Sequence, residues 1–142
     1  MEQAQVKDIM TEKVISIHVD TPITDVIRIL IEKGFSGLPV VDKENKLIGL
    51  ITEYSFINSS HLKKSLKEIE EDAEELADAL AEEVMNAEPL TLYFDDTYED
   101  ALALFSKHHS INPVPVIDRD NKLVGVVSRF DLIKLLRLYG HS

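Results

Sequence analysis

"GVVSRFDLI", from Gly125 to Ile133, is a near copy of "GLITEYSFI", from Gly49 to Ile57. Both read as a β-branched strand that ends at Ser128 or Thr52, where a helix begins. One edit separates them chemically: Asp131 stands in the second where Ser55 stands in the first. Working outward, "LPVVDKENKLIGLIT" matches "VPVIDRDNKLVGVVS", so that Pro39 meets Pro115, Asp42 meets Asp118 and Asn45 meets Asn121. Further back, with a one-residue adjustment near Gly37, "SIHVDTPITDVIRIL" matches "TLYFDDTYEDALALF" with Ser16 on Thr91. The chain is an internal duplication, and two such units cover each other's apolar faces about a pseudo-twofold axis.

Each unit reads as β-α-β-β-α. Strands are expected near Val14 to Val19 and Leu90 to Phe94. The first helix is expected to be capped by Thr21 with Pro22 at its first position, and to bury Ile23, Val26, Ile27, Leu30 and Ile31. Its counterpart is expected to start at Asp96, with Glu99 at capping-box spacing, and to bury Tyr98, Ala101, Leu102 and Phe105. The two following strands are joined by polar turns in which Asn45 and Asn121 suit a left-handed position. The fold class is α/β, close to α+β, with small mixed sheets. The sequence divides into a first repeat at 1–60, a linker at 61–83 and a second repeat at 84–142.

Between the repeats, Leu62, Leu66, Ile69, Ala73, Leu76, Leu80 and Val84 fall at intervals of four and three. That spacing predicts one long amphipathic helix whose other face carries "KEIEEDAEELADALAEE". The acidic face is either simply solvated or offered to a second subunit or protein partner.

The chain of 142 residues carries a formal net charge of −11 and no cysteine. The charge argues against nucleic acid and against anionic membrane as partners. Disulfide and thiolate chemistry are excluded. No basic-then-apolar leader opens the sequence and no apolar run is long enough to span a bilayer, so the cytoplasm is the expected location. No Walker-type loop appears, His108 and His109 are adjacent and point apart, and Ser128 has no visible base; neither an enzyme nor a metal site is expected.

The duplicated phrases "DIMT", "DTPITDVI", "GLPVVD" and "GLIT", repeated in order, resemble two cystathionine-β-synthase (CBS) domains, which together cover nearly the whole chain outside the acidic insert. The resemblance implies a tandem Bateman module that binds an adenosine-containing ligand between its repeats: AMP, ADP, ATP, S-adenosylmethionine, or a cyclic dinucleotide such as cyclic di-AMP. It implies a homodimer, a regulatory role and a protein target, with no obligatory cofactor. On the family pattern, Ser128 meets a phosphate at the helix start, Asp131 accepts both hydroxyls of a ribose, and Arg129 neutralises phosphate. The purine is expected against Thr91, Ile111, Asn112, Val114 and Pro115. Spacing alone leaves other readings open: Ser128 and Asp131 also fit a helix cap, Arg129 a surface charge, and the apolar positions ordinary packing. Ser55 and Glu53 make the equivalent first-repeat site the poorer one. A scaffold without ligand, holding a partner through the acidic helix, is the alternative.

Overall fold

The computed structural model describes residues 4–56, 66–109 and 111–135. The chain opens with α1 (Val6–Ile9) and α2 (Ile23–Lys33), then β1 (Gly37–Val41) and β2 (Leu47–Thr52), which end in a 3-10 turn at Glu53–Ser55. The linker contributes α3 (Leu66–Ala77) and α4 (Ala81–Val84). The second unit follows with β3 (Leu92–Tyr93), α5 (Tyr98–Lys107), β4 (Val114–Ile117), β5 (Leu123–Val127) and α6 (Arg129–Leu132). β1 and β2 pair antiparallel, as do β4 and β5, and β3 joins β4 in parallel. The first strand expected in repeat one shrinks to a single parallel bridge between Ile17 and Val40.

Every residue of β1 and of β4 is buried. Such strands, covered on both faces, read as continuous β-branched runs rather than alternating ones. Both hairpins carry a register shift at the same place, between Val40 and Val41 and between Val116 and Ile117. Asn45 and Asn121 take φ of 65°, the left-handed turn position read from the sequence. The two turns also grip each other. Asn45 Nδ2 donates to the Leu123 carbonyl and Asn121 Nδ2 to the Leu47 carbonyl, each at 3.0 Å. Beneath them Val41, Leu47, Ile117 and Leu123 form a small core shared by both repeats. These reciprocal contacts are the expected pseudo-twofold packing.

The sequence repeats are not the packing units. α1, the leading turn of repeat one, lies in the core of repeat two: Val6 and Ile9 pack with Leu92, Ala101, Val114 and Val127. Its backbone is pinned there by Val6 N to Asp96 O (2.8 Å) and Lys7 N to Phe94 O (2.9 Å). Conversely, Ala81 of α4 lies in the core of repeat one with Ile23, Val26, Leu38 and Ile51. Ala81 N and Glu82 N donate to the carbonyls of Thr21 and Val19 at 2.9 and 3.0 Å. Each repeat thus lends its leading turn to the other, and packing crosses the 1–60 and 84–142 division.

Several local expectations change. The single helix expected from Leu62 to Val84 is two helices: it ends at Ala77, and Leu80 is extended (φ −106°, ψ 160°) as the cap of α4. The tertiary pairing of α4 with Val19 and Thr21 overrides the helical periodicity there. Residues 57–65, with Leu62, lie outside the described residues. Pro22 rather than Thr21 caps α2, and the Thr21 hydroxyl accepts from His18 N instead. α5 is capped by Thr97, with Asp100 at the third position, one residue later than expected. Ile31 and Leu102 face outward, 75% and 39% exposed, because the cores cover narrower stripes than the sequence offers.

Candidate functional site

β5 leads into Ser128, the cap of α6, whose hydroxyl accepts from Asp131 N at 3.2 Å while Ser128 N donates to Asp131 Oδ2 at 2.8 Å. The capping box is therefore real. Asp131 does more than cap. Thr11, 120 residues away, donates its hydroxyl to both carboxylate oxygens at 3.2 and 3.3 Å. Lys134 Nζ pairs with Oδ1 and also reaches the Ile9 carbonyl. Asp131 is 3% exposed, and it is the buried charged residue among the described residues. A charge taken so far from water needs such partners.

Asp131 stands on the wall of a cleft of about 290 Å³, the lower end of the size that small-molecule sites occupy. The cleft crosses the repeats. Repeat two supplies Val126, Ser128, Phe130 and Asp131, with Asn112 and Pro113. Repeat one supplies Thr11, Lys13, Val14 and Ile15 and the run Phe35 to Pro39. Phe130 stands 80% exposed and Phe35 41% exposed, so two aromatic faces are free where a flat ring could stack.

A second cleft, about 310 Å³, repeats the construction with the roles exchanged. Thr52, Tyr54 and Ser55 come from repeat one, and Asn86, Pro89, Leu90, Ile111 and Val114 from repeat two. Ser55 Oγ accepts from Thr52 N at 3.1 Å, in the place of the Asp131 carboxylate. No lining residue there is charged.

Of the residues expected at one site, the structure brings Ser128, Asp131 and Asn112 together. Ile111 and Val114 line the opposite cleft, with Ser55. Thr91 and Pro115 line neither; Pro115 is fully buried in β4. The physical reason is the exchange between repeats: the chain that faces Asp131 belongs to repeat one and not to the run that precedes Asp131 in sequence. Counting back from Pro39 and Pro115, the residues aligned with Ile111, Asn112, Val114 and Pro115 are Phe35, Ser36, Leu38 and Pro39, and all four line the Asp131 cleft. Arg129 also stands apart. Its guanidinium donates to the His109 carbonyl and its backbone N to Asn112 Oδ1 at 3.1 Å. Thr11, Lys13 and Lys134 are not among the residues that the sequence predicts at the site, although Thr11 ends the phrase "DIMT". Gly125 permits a close approach of the chain's own Thr11, whose carbonyl would lie 2.8 Å from an added Cβ.

The sequence matches the CBS domain family over residues 6–61 and 81–138. The chain belongs to that family. Over 92% of its length it is 34% identical to an uncharacterized protein of Methanocaldococcus jannaschii, MJ1426, covering 90% of that protein. Its fold resembles the CBS-pair protein CBSX2 from Arabidopsis thaliana (TM-score 0.85, 24% identity, 99% of each chain). CBSX2 has also been solved in complex with AMP (TM-score 0.78, 24% identity, 96% of this chain and 98% of that one). The CBS domain pair of protein MJ0100, solved with 5′-methylthioadenosine and S-adenosyl-L-methionine, is 28% identical over 94% of this chain and 99% of that one (TM-score 0.73). Among the described residues of this CBS pair, no helix is long and apolar enough to cross a membrane.

Proposed function

We propose that this CBS pair is a regulatory module that takes one adenosine-containing ligand per chain in the Asp131 cleft, acts as a homodimer, and passes the event to a partner protein. The observation that carries the reading is a buried carboxylate on the wall of a cleft between the repeats, beside a helix cap and two exposed aromatic rings. A ribose diol offers two hydroxyl donors to such a carboxylate. Asn112 and the backbone of Ser36 to Leu38 supply polar edges for the base, with Phe35 and Phe130 for stacking. Related CBS pairs solved with AMP, methylthioadenosine and S-adenosylmethionine support this ligand class.

The same carboxylate gives the ligand something to change. It holds Thr11, and Thr11 leads directly from α1, which is packed in the other repeat's core. A diol that takes the place of the Thr11 hydroxyl alters that tie, and a ligand shifts an equilibrium only by such differential contacts.

One observation favours the scaffold alternative: the partners of Asp131 all come from the chain itself, so the carboxylate also has a purely structural use. In that reading the exposed face of α3, with Glu70, Glu71, Glu74 and Glu75, holds the partner. Calorimetry and thermal shift with AMP, ADP, ATP, S-adenosylmethionine, methylthioadenosine and cyclic di-AMP separate the two. At least one compound is expected to raise Tm by mass action and to titrate near one per chain, and Asp131→Asn is expected to lose most of that binding while remaining folded by circular dichroism. No shift with any of them, or a shift that survives Asp131→Asn, overturns the ligand reading.

A further inference from the structure

We infer that Lys13, not Arg129, reads the 5′ substituent, so that the Asp131 cleft selects an adenosine ligand with a negatively charged 5′ group; this rests on the nucleotide reading above. Lys13 is the basic residue among those lining the cleft, and it is exposed and makes no ion pair among the described residues. It follows Thr11 by two positions, and the lining includes Thr11 and Lys13 while skipping Glu12. The lining continues through Val14 and Ile15, and two positions of chain span at most about 7 Å, so Lys13 lies within reach of a sugar held at Thr11. Thr11 touches Asp131, so a sugar held at the carboxylate reaches toward Lys13 with its 5′ end.

The charges around the cleft agree. Asp131 would repel an anion by itself, but Lys134 pairs with it. Lys13 and Lys134 against Asp131 leave one net positive charge on a chain whose formal net charge is −11. Without that local cation a phosphate would meet an unfavourable field. Arg129 has its guanidinium on the His109 carbonyl and lies off the cleft lining. The second cleft has no such cation: Glu88 aligns with Lys13 and Glu53 with Arg129, and neither glutamate lines it.

Titrating adenosine, methylthioadenosine and AMP into the full chain and into Lys13→Gln tests this. For the unmodified chain, AMP is expected to bind more tightly than the two neutral nucleosides. Lys13→Gln is expected to weaken AMP about three- to tenfold while leaving adenosine unchanged, the scale of a partly exposed charge pair, and raising salt is expected to shrink the difference. Arg129→Gln is expected to weaken AMP less than Lys13→Gln does. If AMP binds and Lys13→Gln leaves its affinity unchanged, or lowers adenosine equally, the assignment of Lys13 is wrong and the nucleotide reading stands. If neither adenosine nor AMP binds the unmodified chain, both fail.

Discussion

The two clefts are made alike and charged differently. In each, a strand end and its cap come from one repeat and the facing wall from the other. Each is closed at the back by a glycine that lets a neighbouring strand approach: Thr11 bridges Val126 beside Gly125, and Asn86 bridges Leu50 beside Gly49. A few positions then divide them. Asp131 answers Ser55, Thr11 answers Asn86, Lys13 answers Glu88, and Phe130 answers Tyr54. The architecture depends on apolar burial and backbone pairing, which tolerate such edits. The chemistry depends on single side chains, which do not. The frame therefore occurs twice, and one cleft alone carries a buried carboxylate.

The widest gap between the clefts is expected at the carboxylate itself. Asp131→Ala removes the cap acceptor, frees the Thr11 hydroxyl and leaves Lys134 without its partner. Because Lys134 is 49% exposed, the cost sits at the low end for a broken buried pair, about 3 kcal/mol in denaturant unfolding. Equal losses from Asp131→Ala and Ser55→Ala would erase the contrast. Gly125→Ala comes next, at about 2 kcal/mol, because the added Cβ meets the Thr11 carbonyl, a backbone atom, at 2.8 Å. Gly49→Ala is expected to cost less, since its nearest neighbour is the sulfur of Met85, which can swing aside; the reverse order would show that the second cleft is the more rigid.

The turns sharpen the comparison from the other side, since they are the symmetrical part. Asn45→Ala and Asn121→Ala each lose a left-handed residue and a hydrogen bond to the opposite repeat, about 1.5 kcal/mol apiece. Measured costs that differ by more than about 1 kcal/mol would mean that the asymmetry reaches the axis. The smallest effect belongs to Ser55→Ala, about 0.5–1 kcal/mol, the loss of one hydroxyl acceptor at the 3-10 turn. Ligand affinity in the Asp131 cleft is expected to be untouched by it in the same calorimetric titration.

The repeat, the hairpins and the left-handed asparagines were legible because they are local: β-branched runs and turn chemistry announce themselves within a dozen residues. Ser128 and Asp131 were legible for the same reason, being three apart on one cap. The facing wall was not. Phe35, Ser36 and Lys13 join the cleft only because the repeats cross, and no spacing in the chain encodes which copy faces which. The α3–α4 break escaped for a related reason. Leu80 keeps the helical interval, but the backbone at Ala79 to Glu82 is claimed by Val19, Thr21 and Ile23, a tertiary demand that outweighs propensity.

The lent arms, α1 and α4, bear on how such a chain came to be. A lone first repeat owns an arm with no floor of its own to cover, while its own floor waits for an arm that it does not carry. Two identical molecules satisfy both needs by trading arms, at a yield set by how often they meet. With both copies in one chain the trade is internal and independent of concentration, so the two halves can differ in chemistry and still exchange arms.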